Sequence, residues 1–152
     1  MTNTKRSVNN AMKIFSKMKD GGPESRVWGY WLIEWKKLFS IVLLHFKDGS
    51  REAYHSHAFN SISWVLRGKL TENRLINPYR LDDITIKTVY RPSFKPIFTE
   101  RENYHKVESA GNTWVLSFRG PWANYWQEIF PSGGWVTLTH HREILEGGPT
   151  RP

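Results

Sequence analysis

The sequence predicts an all-β domain closed into a barrel, and three observations lead there. Apolar runs are short, turn signals recur about every 8–12 residues, and glycine and proline are scattered along the chain rather than collected into linkers. At 152 residues one domain suffices, since single domains most often hold about 100–150 residues.

Taken in order, residues 1–7 read as a disordered arm. From Val8 to Met18 the apolar positions Val8, Ala11, Met12, Phe15 and Met18 follow helical spacing, which predicts one short amphipathic helix stopped by Asp20, Gly21, Gly22 and Pro23. Strand-like segments follow at Val27–Tyr30, Lys37–Phe46, Arg51–His57, Ile62–Arg67, Leu70–Ile76, Ile84–Tyr90, Tyr104–Glu108, Thr113–Phe118 and Trp135–Thr139. Turns at Asp48-Gly49, Gly68, Asn77-Pro78, Ala110-Gly111-Asn112 and Gly133-Gly134 separate them. The expected organisation is an arm and helix over 1–23, a β-barrel over 24–146 and a loose tail over 147–152.

There is no cysteine, so neither a disulfide framework nor a thiolate metal site can form. Leu, Val and Ile between Trp31 and Phe46 are interrupted by Glu34, Lys36 and Lys37, too short an apolar run to span a bilayer, which needs about 20 residues. A soluble, cytoplasmic protein is expected (host cytoplasm, should the chain be viral). Lys and Arg number 22 against 14 Asp and Glu, a formal charge of +8. Positive charge beside eight tryptophans would suit stacking on nucleobases, but in a small barrel tryptophans are expected first in the core.

The segment that carries chemistry is Gly-x5-His-x-His-x3-Ser-x6-Gly, from Gly49 through His55, His57 and Ser61 to Gly68. On a strand, residues i and i+2 face one way, so His55 and His57 present two imidazoles to one side. Imidazole is the commonest transition-metal ligand. A third, His105, lies on a later segment that a barrel can bring beside the first pair. His45 reads as a hydrogen-bonded core or edge residue, and the adjacent His140 and His141 point to opposite faces and cannot chelate together. Glycine-rich phosphate loops, the Gly-x-Ser-x-Gly elbow and the His-Glu-x-x-His helix are all missing.

This spacing resembles the first motif of the cupin superfamily, with Ser61 where cupins usually carry a glutamate. The second motif is thinner: His105 stands at the histidine, while Glu100, Glu102 and Ser109 replace the usual proline, glycine and asparagine. From about Leu44 to Leu145 the chain also resembles cupin-like proteins of bacteriophages and bacteria. That likeness rests on Leu44-His45-Phe46, on His55 to Asn60 with Leu66 to Glu72, on Tyr104 to Glu108, and on Trp114 to Pro121. In that group an acidic residue is common where this chain has Asn60.

The resemblance implies a double-stranded β-helix (jelly-roll) barrel with His55, His57 and His105 as metal ligands. A divalent transition metal is expected, Fe(II) first, with Zn, Ni or Mn as alternatives. An all-histidine iron site is similar to the thiol dioxygenase branch of the cupins, which implies a dioxygenase or hydroxylase acting on a small polar molecule. Glu72 is the candidate carboxylate for such a site, though a surface position is the plainer expectation for it. Arg119 is the candidate clamp for a substrate carboxylate or phosphate at the barrel mouth, against a solvated strand-end arginine; Arg67 has the same two readings. The alternatives are a non-catalytic barrel that binds a nucleotide, sugar or peptide, and a phage protein that binds a host factor. A homodimer through edge strands is expected.

Overall fold

Residues 11–50, 53–80, 82 and 84–150 are described by the computed structural model, and among them no helix occurs. The strands in chain order are β1 (Lys13–Lys19), β2 (Val27–Trp35), β3 (Phe39–Phe46), β4 (Gly49–Ser50), β5 (Tyr54–His55), β6 (Ser61–Arg67) and β7 (Leu70–Leu75). They continue with β8 (Thr85–Tyr90), β9 (Ile97–Thr99), β10 (His105–Ser109), β11 (Thr113–Arg119), β12 (Tyr125–Ile129), β13 (Trp135–Thr139) and β14 (Ile144–Gly148). One sheet runs β1-β2-β3-β11-β6-β9; the other runs β14-β13-β12-β5-β10-β7-β8, with β4 also on β10. Neighbouring strands are often distant in sequence, as a jelly roll requires.

Alternation builds the interior. In β3, Ser40, Val42 and Leu44 are buried while Ile41, Leu43 and His45 are partly exposed. In β11, Thr113, Val115, Ser117 and Arg119 are buried against the more exposed Trp114, Leu116 and Phe118. The main core joins Trp31, Val42, Leu44, Val65, Leu70 and Val115. A second core of Tyr54, Leu75, Tyr104 and Ile129, with Trp135 against it, includes Tyr54 beside His55 and Tyr104 beside His105. Because successive strand residues face opposite ways, it packs on the far side of the strands that carry those histidines.

The helix expected over Val8 to Met18 is not formed where the chain is described: Lys13–Lys19 is an edge strand paired antiparallel with β2. Positions 8–10 lie outside the described residues. The physical reason is that this edge strand has no buried face: every residue of it but Ser16 is exposed, so no two-residue apolar alternation marks it, and its scattered apolar residues fall at helical spacing. Phe15 has φ 52, yet the pairing keeps one register on either side of it, Ile14↔Ile33 and Ser16↔Trp31. The sheets accordingly start before residue 24 and continue through β14 to Gly148. Of the expected strand at Arg51–His57, β5 covers Tyr54–His55, Ser56 and His57 follow it as irregular chain, and Arg51 and Glu52 lie outside the described residues.

The tryptophans meet the core expectation in part. Trp31 alone of the eight is fully buried, at 2% exposure; Trp122 and Trp135 pack half-buried against the two cores, and the other five are half-buried elsewhere.

Both glycines of the histidine motif occupy left-handed backbone. Gly49 has φ 107 and Gly68 φ 91. A Cβ at Gly68 would stand 2.5 Å from Thr113 Oγ1 and 2.6 Å from the Asn112 carbonyl oxygen. Gly120, without a positive φ, would meet nothing closer than 3.7 Å. Gly68→Ala is therefore expected to cost about 2 kcal/mol or more in urea unfolding, and Gly120→Ala less than about 0.5 kcal/mol.

His140 supplies a pH dependence. Its ring packs 5.0 Å from that of Trp122, and both its nitrogens are buried beside the Ala123 backbone. Burial, and then the nearby Lys36 charge, push its pKa below the ordinary 6.5. A depressed histidine pKa means that protons bind the unfolded chain more readily, so its stabilising contribution is full above pH 6.5 and falls as pH drops below it. Thermal unfolding between pH 7.5 and 5.5 should show a smaller loss of Tm in His140→Phe than in the parent.

Candidate metal centre

His105 opens β10 and is paired on both sides, with His55 of β5 and with Arg74 of β7. That register fixes His55 and His105 on one face of the sheet, toward the interior. His57 lies two residues beyond His55 in irregular chain, where its backbone N–H donates to the Arg101 carbonyl at 3.2 Å. The three rings form a near-equilateral triangle: centroids are 5.0 Å apart for His55–His57 and His55–His105, and 4.9 Å for His57–His105. One ring nitrogen from each lies within 4.8 Å of the others.

His57 Nε2 and His105 Nε2 are 2.8 Å apart. Two nitrogens bound at about 2.0–2.1 Å to one ion, at a right angle, would stand about 2.9 Å apart. The donor set thus fits a divalent metal on geometry as well as on ligand type. Three neutral imidazoles fill part of a coordination sphere and leave positions open.

Glu72 is not at the surface. It is 3% exposed on β7, and its carboxylate takes a short hydrogen bond from His105 Nδ1. Tyr90 Oη donates to the same carboxylate at 2.8 Å, and Arg74 Nη2 at 3.2 and 3.4 Å. Burial alone would raise the Glu72 carboxyl; the hydrogen bond from His105, with Tyr90 and Arg74, outweighs it and holds the carboxyl below the usual carboxylate range. Burial and the same carboxylate push Tyr90 up to about 12, so it remains a donor. The effect on the centre is steric and tautomeric: His105 keeps its proton on Nδ1 and turns the Nε2 lone pair toward His57 and His55. Glu72 therefore stands behind a ligand and outside the triangle of nitrogens.

The triangle opens into a cavity of about 410 Å³. Phe59 packs 5.2 Å from the His57 ring, and Trp126 stands edge-on 6.4 Å from the His55 ring. The first sheet faces the histidines with a polar row, Glu34, Ser40, Arg119, Ser61 and Thr99, set side by side on five strands. Ser61 and Thr99 line the cavity, whereas Asn60 is exposed and its Oδ1 accepts from the Arg101 N–H at 2.8 Å. Asn60 therefore braces a loop, and neither an acid nor an amide ligand comes from that position.

Arg119 is 4% exposed, which overturns the solvated strand-end expectation. Its Nη1 and Nη2 both reach the Asp20 carboxylate, at 3.1 and 2.7 Å, and its guanidinium lies 4.4 Å from the Phe59 ring centroid and 5.0 Å from that of Trp31. The fork expected for a substrate anion is thus occupied by a carboxylate of this chain. Arg67 is exposed at the end of β6.

Sequence reasoning missed Asp20, ninety-nine residues from its partner, and Glu128. Glu128 lies opposite His55 in register, is 3% exposed and accepts from Arg142 at 3.3 Å. Neither has a local signature; the alternation of Trp126 and Glu128 with Tyr125 and Gln127 was the available sign that both face inward. His45 hydrogen-bonds Asn112 Oδ1 at 2.9 Å at a sheet surface, and His140 and His141 take no part in the triangle.

No protein-family model matches this sequence, and no curated protein sequence matches it. Solved structures do share its fold. The Fe(II) form of HppE in complex with substrate superposes with TM-score 0.53 at 14% identity, over 68% of this chain and 55% of that one. The capsular polysaccharide assembling protein CapF from Staphylococcus aureus gives 0.53 at 14%, over 70% of this chain and 31% of that one. A RmlC-like cupin from Shewanella frigidimarina aligns at 0.47 and 15%, over 76% and 88% of the two chains. The chain thus spans about half the length of HppE. No helix of the described residues is long and apolar enough to cross a membrane. With its two antiparallel sheets, its strand order and a histidine triangle at the interior, this chain has the cupin fold.

Proposed function

We propose that the protein is a metal-dependent enzyme, a non-heme Fe(II) dioxygenase or hydroxylase that acts on a small polar molecule inside the barrel. The observation that carries it is the convergence of His55, His57 and His105, with His105 held in one tautomer by Glu72. The Fe(II) form of HppE, which shares the fold, supports the choice of iron over zinc, nickel or manganese.

His55, His57 and His105 would hold the metal, which when bound supplies a Lewis-acidic, redox-active centre with open positions for small ligands. The chain supplies the rest. Glu72 retains the His105 Nδ1 proton, and Tyr90 and Arg74 hold Glu72 in place. Phe59 and Trp126 exclude water from two sides of the triangle. Ser61 and Thr99 offer hydroxyls to a polar substrate across the cavity. Because Arg119 is neutralised by Asp20, substrate polarity is met on that wall by hydroxyls rather than by a free cation.

Protein purified without chelator should hold about one metal ion per chain by elemental analysis, with iron giving O2-dependent turnover. His57→Ala and His105→Ala should each lose the ion and keep the native circular dichroism spectrum. A parent protein that takes up no metal, even after anaerobic loading with Fe(II), would sink the proposal and leave a barrel that binds ligand without catalysis.

Glu72→Gln tests the supporting shell. Removing the carboxylate should weaken metal affinity by about 10–100-fold in chelator competition, with the three histidines intact. Unchanged affinity would mean that the short His105–Glu72 bond has no part in orienting the ligand.

A further inference from the structure

The outer face of the first sheet is not the face of a protein that meets only water. Antiparallel partners point the same way, so the register Lys19↔Trp28↔His45↔Trp114↔Arg67 is one stripe across β1, β2, β3, β11 and β6. It is cationic at both ends and aromatic in the middle. Four strand spacings make it about 19 Å long. His45 and Trp114 stack at 4.2 Å and 2°, and Asn112 fixes the His45 ring. The next row is Lys17↔Tyr30↔Leu43↔Leu116↔Trp64. Lys17 Nζ lies 4.9 Å from the Trp28 ring centroid and 5.2 Å from that of Tyr30.

Charge on the strands of this face has one sign. Across all six strands of the sheet the only Asp or Glu is Glu34, which is buried and points inward. An aromatic surface rimmed by cations, with no outward-facing acid on its strands, matches a polyanion that carries flat rings. A second copy of the chain laid on this face would bring strands that hold no acid for these cations. The net charge of +8 acts in the same direction at longer range.

We propose that the outer face of the six-stranded sheet binds single-stranded nucleic acid, with bases stacking on Trp28, Tyr30 and Trp114 and phosphates meeting Lys17, Lys19 and Arg67. This surface lies on the opposite side of the sheet from the cavity, so occupancy of the histidine centre does not decide it.

The test is fluorescence polarisation with a labelled oligothymidylate of about 12 nucleotides, using the whole chain. Binding should weaken about tenfold or more between about 50 and 200 mM salt. Lys17→Glu with Lys19→Glu should weaken it by about tenfold or more and flatten the salt dependence, and Trp28→Leu by about tenfold. Lys87→Glu, exposed on the other sheet, should change it by less than about threefold, which separates the face from charge in general. No binding at low salt, equal losses in the Lys87 variant, or tighter binding of duplex than of single strand would each overturn the proposal. A homodimer in light scattering that Trp64→Glu splits into monomers would also overturn it, by showing the face to be covered by a second copy.

Discussion

Everything at the centre depends on the register of β10. His105 is hydrogen-bonded into the sheet between β5 and β7, with His55 on one side and Arg74 on the other. Side chains on a strand alternate with a period of two, so a slip of one residue would turn His105 outward and bring Tyr104 into the cavity. The second core resists that slip. Tyr54, Leu75, Tyr104 and Ile129 are buried on the back of the same strands, and each large buried side chain contributes about 1.5–3 kcal/mol. Apolar packing behind the sheet thus fixes the position of imidazoles in front of it.

Electrostatics refines what register fixes. A carboxylate as buried as Glu72 is costly unless its oxygens are fully engaged. Here His105, Tyr90 and Arg74 supply donors on three sides. The cavity repeats the arrangement: Arg119 is matched by Asp20, and Arg142 by Glu128. Such pairing neutralises most of the interior charge while leaving hydroxyls and ring nitrogens exposed to the cavity. The interior therefore carries little net charge among the described residues.

Strand segments and the histidine triangle were legible in the sequence because both follow short-range rules. Alternation marks β3, β8 and β11, and His-x-His on or beside a strand places two rings together whatever the rest of the fold does. The motif glycines were legible as well, since Gly49 and Gly68 occupy positive-φ backbone that side-chain-bearing residues rarely adopt. What escaped notice depended on distance or on exposure. An edge strand with no buried face carries no two-residue apolar alternation, so β1 read as a helix. Glu72 looked like a surface acid because its partners, His105 and Tyr90, lie thirty-three and eighteen residues away. Arg119 lost its expected role to an aspartate that no local pattern connects with it. The tryptophans misled in part, for a different reason: composition records how many there are and cannot say which side of a strand each one takes.

The second core has one more consequence. Chemistry-bearing residues lie on the second sheet, backed by their own apolar layer, whereas the aromatic stripe lies on the first sheet, across the main core. Substitutions on the stripe and around the histidines are far apart and share no partners, so their energetic effects should simply add. Over evolutionary time that separation lets lineages diverge in what the outer surface recognises without retuning the interior, and the reverse. The barrel is built so that selection can act on its two faces one at a time.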